Sequence, residues 1–112
     1  MDGKNRIVKD ILESVEKNMG TGENLSLEAL EAHTGYSRFY LNRIFAEETG
    51  CTIHRYIMER RLTEAARKLV ETDKTIVEIS GEADYQSQQA FTLAFRRAYG
   101  CTPFTYRERK HF

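Results

Sequence analysis

The chain has 112 residues, a size that allows one domain or two very small lobes and limits the hydrophobic core. Apolar residues make up 40% and charged residues 30% of it, with a single proline, which is typical of an ordered globular protein and not of a disordered tail. No apolar run approaches the ~20 residues of a membrane span, and the start, MDGKNRIVKD, lacks the apolar segment of a signal peptide. These features predict a cytoplasmic protein without a membrane partner.

Charge is distributed unevenly along the chain, although 17 basic and 17 acidic residues cancel. Acidic residues crowd the first third, whereas arginine and lysine dominate the middle and the end. A protein without net charge can therefore still present a basic face to a polyanion. Cys51 and Cys101 lack a CxxC pair or a Cys/His cluster, which predicts reduced thiols and no metal site, and nothing in the sequence requires a cofactor.

Apolar spacing and capping residues predict an all-α fold of about seven helices. The helices are expected near residues 4–18, 27–33, 38–48, 53–70, 76–83, 88–98 and 103–109. Four of the expected starts carry a side-chain hydroxyl that can accept a hydrogen bond from an unpaired backbone N–H group of the first turn. These residues are Ser26, Ser37, Thr75 and Thr102. Glu78 completes a capping box with Thr75, and Pro103 suits a first helical position.

The sequence repeats itself at an offset of fifty residues. The matched pairs are Ser37/Ser87, Leu41/Phe91, Phe45/Phe95, Gly50/Gly100, Cys51/Cys101, Thr52/Thr102 and Tyr56/Tyr106. Such self-similarity indicates one supersecondary unit used twice. The short glycine-bearing turn Thr34-Gly35-Tyr36 joins helices 27–33 and 38–48 as in a helix-turn-helix, and the same arrangement recurs around Asp84.

The helical period places Leu41, Ile44 and Phe45 on the packing face of helix 38–48. Phe39, Asn42, Arg43 and Ala46 then point outward. In a major groove, arginine pairs with guanine, asparagine pairs with adenine, and an aromatic ring contacts a thymine methyl group. The face is therefore predicted to read bases, and the alternative is a solvated face with one stray phenylalanine.

The same construction for helix 88–98 buries Phe91, Ala94 and Phe95 and exposes Gln89, Thr92, Leu93 and Arg96. Leu93 occupies the place that Arg43 has in the first unit, so the second face is poorer in specific donors. The second unit is thus expected to contribute mainly phosphate contacts and shape readout. The alternative for Leu93 is burial against another element.

Nine residues are predicted to contact the DNA backbone: Ser37, Arg38, Arg61, Ser87, Gln88, Arg96, Thr102, Tyr106 and Arg107. For the cations of the long helix, Arg60, Arg61, Arg67 and Lys68, the alternative is a solvated face or pairing with neighbouring glutamates. For Tyr106, the alternative to contact with phosphate is burial in the core.

The segment GYSRFYLNRIFAEETGCTIHRYIMERRLTEAARKL, from Gly35 to Leu69, and the later segment SQQAFTLAFRRAYGCTPFTYR resemble the DNA-binding domain of the AraC/XylS family. The likeness is closest to its short MarA/SoxS/Rob-like members and extends from about Ile7 to Arg107. Three positions depart from the family pattern: Glu31 stands in place of a small residue, Asp84 in place of glycine, and Leu93 in place of arginine. Aspartate tolerates left-handed geometry, so the second turn is expected to survive.

The resemblance implies a domain over residues 1–112, with lobe one at about 4–52, a linking helix at about 53–70 and lobe two at about 71–110. Such a unit binds double-stranded DNA as a monomer, with its two reading helices in successive major grooves roughly 34 Å apart. The resemblance transfers base contacts to Phe39, Asn42 and Arg43 in the first reading helix. In the second reading helix the matching positions are Gln89, Ala90 and Leu93, while Ser87 and Gln88 match positions near the DNA backbone. It also implies RNA polymerase as a partner, activation of transcription, and no catalysis.

Two other functions remain open from the sequence. One is a protein-interaction module in which a degenerate second helix-turn-helix exposes Leu93 to a partner. The other is alkyl transfer by a cysteine, which the absence of a paired base or metal cluster near Cys51 and Cys101 disfavours. No sensor domain fits within the chain, so regulation is expected to follow its abundance, or to depend on an effector domain beyond Phe112.

Overall fold

A computed structural model of the protein describes residues 3–21 and 27–110. Within those ranges it contains seven α-helices and no strand, which confirms the all-α prediction. The helices are α1 (Gly3–Thr21), α2 (Leu27–Thr34), α3 (Arg38–Thr49), α4 (Ile53–Glu71), α5 (Ile76–Glu82), α6 (Gln88–Tyr99) and α7 (Pro103–Lys110). The predicted capping residue Ser26 lies outside the described residues. No helix in the described part of the chain is long and apolar enough to cross a membrane.

The repeat is visible in the ends of α3 and α6. The hydroxyls of Ser37 and Ser87 accept the backbone N–H groups of Tyr40 and Ala90, at 3.2 Å and 3.0 Å respectively. Each helix has 12 residues and ends at a glycine in the left-handed conformation, Gly50 with φ 84° and Gly100 with φ 79°. The two helices therefore begin and end at equivalent residues, as the fifty-residue offset predicts.

The chain divides into two compact units, Met1–Met58 and Glu59–Phe112, and the division falls within α4. The predicted lobe bounds themselves stay a prediction. The core of the first unit joins α1, α2, α3 and the start of α4 through Ile7, Val8, Ile11, Val15, Leu30, Leu41, Ile44, Phe45, Ile53 and Ile57. This core confirms the predicted packing face of α3.

The core of the second unit consists of Leu62, Ala65, Ala66, Leu69, Ile79, Ala83, Phe91 and Phe95. Phe91 and Phe95 are fully buried, so the inner face of α6 is as predicted at these positions, while Ala94 is only partly buried. Phe95 also stacks on Tyr99, with ring centroids 4.5 Å apart, and meets the edge of Tyr106 at 5.3 Å. Aromatic packing thus joins α6 to α7.

The two helix-turn-helix turns use different residues for the same backbone requirement. Gly35 has φ 78° between α2 and α3, and Asp84 has φ 65° between α5 and α6. Asp84 is the non-glycine residue with positive φ in the described part of the chain, and its carboxylate contacts the Arg61 guanidinium at 3.4 Å. The expectation that aspartate can replace the turn glycine is confirmed.

Candidate nucleic-acid interface

The outward face of α3 carries an aromatic ring and a supported cation. Phe39 is 83% exposed, although it is large and apolar. The guanidinium of Arg43, which is exposed, lies over the ring of Tyr40 at 5.3 Å, and Tyr40 in turn contacts Tyr36 at a centroid distance of 5.1 Å. A cation–π contact favours one orientation of the guanidinium, so Arg43 is partly preorganised for a planar hydrogen-bonding partner. The spacing of Tyr40 and Arg43 by three residues could have predicted this contact.

Asn42 does not point outward as predicted. It is partly buried, and its Oδ1 accepts a hydrogen bond at 3.3 Å from the backbone N–H of Ile53, the first residue of α4. The first N–H groups of a helix lack partners within the helix, which explains why a side-chain oxygen is bound here. The prediction of an outward side chain was wrong because the helical period takes no account of a neighbouring helix start. The predicted base contact by the Asn42 amide nitrogen stays a prediction.

The start of α3 is occupied by acidic side chains. Glu31 accepts the backbone N–H of Arg38 at 2.8 Å and its guanidinium at 3.1 Å, and Glu28 lies 3.9 Å from the same guanidinium. The side-chain and backbone hydrogen bonds from Arg38 lower the pKa of the Glu31 carboxyl. The two backbone contacts predicted here are therefore already engaged within the protein, Ser37 as a cap and Arg38 in ion pairs. The unusual glutamate at position 31 was the signal for this arrangement.

The outward face of α6 forms an open concave surface of about 820 Å³, lined by Ser87, Gln88, Gln89, Thr92, Leu93 and Arg96. Gln88, Gln89 and Arg96 are exposed, and Leu93 is 52% exposed. The alternative in which Leu93 is buried against another element is therefore wrong. Thr92 is half-buried, so the exposed stripe is narrower than predicted.

Four other residues predicted to contact the DNA backbone make contacts inside the second unit. Arg61 has an 11% exposed side chain beside Asp84, and Tyr106 is half-buried against aromatic rings. Thr102 Oγ1 accepts the backbone N–H of Thr105 at 3.2 Å and caps α7. Arg107 donates to the backbone carbonyls of Leu69, Thr72 and Lys74 at 2.8, 3.3 and 2.6 Å. These are structural contacts, and binding of phosphate by the same residues stays a prediction.

Pairing with glutamates, the alternative for the cations of the long helix, is found at Arg67 and Lys68. Arg67 contacts Glu64 and, at 3.3 Å, Glu71, while Lys68 lies 2.7 Å from Glu82. These two cations are therefore engaged in ion pairs within the second unit. Within residues 3–21 and 27–110, no group of three or more His, Cys, Asp or Glu side chains could hold a metal ion.

A family profile described as a helix-turn-helix domain matches residues 30–109. The probable transcription factor PqrA of Proteus vulgaris is 36% identical over 102 residues, which cover 91% of this chain and 84% of that protein. The multiple antibiotic resistance protein MarA of Escherichia coli strain K12 is 35% identical over 100 residues, covering 89% and 77% respectively. Among solved structures, a transcriptional regulator with an AraC-type DNA-binding domain from Chromobacterium violaceum has a TM-score of 0.86 at 28% identity, covering 96% of this chain and 95% of that one.

The matched region begins within α2 and ends within α7, so it includes both glycine- or aspartate-bearing turns and both exposed helix faces. Similarity of this extent to short regulators confirms the family inferred from the sequence motifs. The chain belongs to the AraC/XylS family of helix-turn-helix transcription regulators.

Proposed function

We propose that the protein is a sequence-specific, double-stranded DNA-binding regulator that acts without catalysis and reads the major groove mainly with α3. The observation that carries this proposal is the outward pair of Phe39 and Arg43 beside a fully packed inner face. An exposed phenylalanine is costly to leave in water, and a thymine methyl group would cover it. Arg43 matches the two acceptors of guanine with a guanidinium that Tyr40 already orients.

The proposed base-contacting set is Phe39, Asn42, Arg43 and Gln89, with Asn42 acting through the amide nitrogen that the bond to Ile53 leaves available. In α6, the exposed Gln88 lies at the Ser87-capped start of the helix, where phosphate oxygens are bound favourably, and the exposed Arg96 in the last turn offers a cation to phosphate. The remaining contacts that we propose to the DNA backbone are those of Ser37, Arg38, Arg61, Ser87, Thr102, Tyr106 and Arg107. To bind a phosphate, a side chain already engaged within the protein would have to share its internal contact with the phosphate or give it up.

Activation of transcription through contact with RNA polymerase, monomeric binding and a cytoplasmic location are further parts of this proposal. Their support is the likeness to short regulators, of which PqrA is described as a probable transcription factor. A reporter gene placed behind selected binding sites tests activation directly, because a repressor would lower its expression.

The first experiment compares Arg43→Ala with Arg96→Ala. Sites are selected from a random-sequence duplex library, and affinity is then measured across salt concentrations. We expect Arg43→Ala to relax the preference at one G·C pair at a cost of roughly 1–3 kcal/mol. We expect Arg96→Ala to weaken binding to all sequences alike and to reduce the salt slope by about 1.

The control is Arg109→Ala, which removes an exposed cation from α7. Identical selected sequences for the wild type and Arg43→Ala would show that another residue reads the site. A wild-type protein that enriches no duplex at any salt concentration would contradict DNA binding altogether. The second candidate, a protein-interaction module, would then be left, and its partner would need contacts beyond the exposed Leu93.

A further inference from the structure

We propose that Leu93 reads sequence by packing against the 5-methyl group of a thymine, so that the second half of the binding site depends on A·T pairs. This inference rests on the proposed DNA binding. It assigns to α6 a discriminating contact in addition to its expected phosphate contacts. Leu93 would then be a specificity-determining residue, not a remnant of a lost arginine.

The position of Leu93 on α6 is the first argument. It is 52% exposed, whereas Phe91 and Phe95 on the opposite face of the helix are fully buried. Leu93 is therefore not part of the hydrophobic core. It lines the same concave surface as Gln89 and Arg96, which precede and follow it on α6. A single leucine between polar side chains offers too little apolar area for a stable protein interface, which buries a surface of about 800 Å² on each partner. It offers enough for one methyl group.

The repeat provides the second argument. Leu93 and Arg43 are equivalent in two helices with equivalent ends. An arginine there satisfies the N7 and O6 acceptors of guanine, whereas a leucine would remove water from those acceptors and return no donor. Leucine in place of arginine therefore disfavours a G·C pair at the step that Leu93 contacts, whereas Arg43 favours a G·C pair at the equivalent step. Among the base edges of the major groove, the thymine methyl group is the one apolar feature that a leucine can contact.

Gln89 provides the third argument. It is exposed four residues before Leu93, on the same face and one turn away, a rise of roughly 6 Å along the helix. Glutamine pairs with the N6 and N7 atoms of adenine. Gln89 and Leu93 thus both favour A·T pairs, at neighbouring steps of the binding site.

The test uses duplexes selected by the wild-type protein, in which thymines of the second half-site are replaced one at a time by deoxyuridine, which lacks only the methyl group. We expect one replacement to weaken wild-type binding roughly fourfold, the effect of one buried methyl group. In Leu93→Ala the same replacement should change the affinity by less than about twofold. Leu93→Arg should select a G·C pair at that step.

Val77→Ala is the matched control, since Val77 is an apolar residue that is also exposed but belongs to α5. It should retain the fourfold response of the wild type. Wild-type binding that no deoxyuridine weakens, or a Leu93→Ala protein that keeps the full response, would overturn the inference while leaving DNA binding intact. Failure of the wild type to enrich any duplex would instead overturn the proposed function, and the inference with it.

Discussion

Glu31 determines how much positive charge the start of α3 presents. Its carboxylate binds both the backbone N–H and the guanidinium of Arg38, at the helix end where a phosphate would otherwise be attracted. The protein thus places an acidic side chain where an anionic ligand would bind. In the proposed complex, a phosphate approaching Arg38 would compete with this carboxylate, which would lower affinity for DNA of any sequence and leave the proposed base contacts of Arg43 unaffected.

We therefore expect Glu31→Gln to raise affinity for random-sequence duplex and to steepen its salt dependence by about 0.9, the contribution of one added phosphate contact. The glutamine oxygen can still accept the Arg38 N–H, so the helix start is retained. The measurement is a titration at several salt concentrations. Glu13→Gln, which removes an exposed charge from α1, is the control. Equal salt slopes for the two variants would show that Arg38 does not meet phosphate.

Residues whose environment is set by their own helix were predictable from the sequence. Leu41 and Phe91 are buried and Phe39 is exposed, as the period of a single helix requires. Asn42 was not predictable in this way, because its oxygen binds the start of the next helix, 11 residues later. Arg107 reaches carbonyls more than 30 residues away, and no local pattern predicts such a contact.

At the scale of elements, one side chain of α7 connects this helix to the end of α4. Arg107 donates to the carbonyl of Leu69 near the end of α4 and to those of Thr72 and Lys74 in the connection that follows. The last carbonyls of a helix lack partners within the helix, and a cation at this end also interacts favourably with the helix dipole. The contact therefore fixes the end of α4, the connection and α7 together.

Replacement of Arg107 by alanine should lower the free energy of unfolding by roughly 2–3 kcal/mol, the effect of losing charged hydrogen bonds to partly buried carbonyls. Urea unfolding followed by circular dichroism measures this change. Arg109→Ala, in the same helix but exposed, should change stability by less than about 0.5 kcal/mol. If the two variants unfold at the same urea concentration, the carbonyl contacts contribute nothing to stability.

Helix bounds were largely predictable because local rules define them. The observed ends differ from the predicted ones by three residues at the end of α1 and by at most one elsewhere. Capping hydroxyls and left-handed glycines determine these ends within a few residues of sequence. The division into two units inside α4 had no such local signal, since it depends on which cores the two ends of that helix join.

At the scale of the whole molecule, several of the acids that balance the basic residues are bound to cations. The pKa values of Glu31, Glu64 and Glu82 are all lowered, in each case first by a side-chain hydrogen bond from an arginine or lysine. Each of these carboxyls holds its proton less tightly in the folded than in the unfolded chain. Their contribution to stability is therefore complete above the ordinary glutamate pKa of 4.5 and is lost as the pH falls from there through the lowered values.

Glu82→Gln tests this pH dependence, because the Glu82 carboxylate binds both Lys68 and Lys74 at 2.7 Å. At pH 7 we expect a modest decrease in melting temperature, since the group is partly exposed and screened by water. The difference from the wild type should shrink as the pH falls below about 4.5, where the wild-type carboxyl gains its proton. Glu48→Gln, an exposed acid on α3, should match the wild type throughout. If the difference in melting temperature between Glu82→Gln and the wild type persists at low pH, it results from altered packing and not from loss of the charge.

The dependence of the second unit on Arg107 has a consequence for synthesis of the protein. The first unit has all its core residues once Ile57 has been synthesised. The end of α4, in contrast, is bound by Arg107, which is synthesised 38 residues after Leu69. Units generally fold in the order in which they leave the ribosome. We expect the first helix-turn-helix to be structured while the second is still being translated. A nascent chain would then carry the Arg43 face before the Leu93 face, and a chain released ahead of Arg107 would lack the contacts at the end of α4, which would leave the second unit open to proteases.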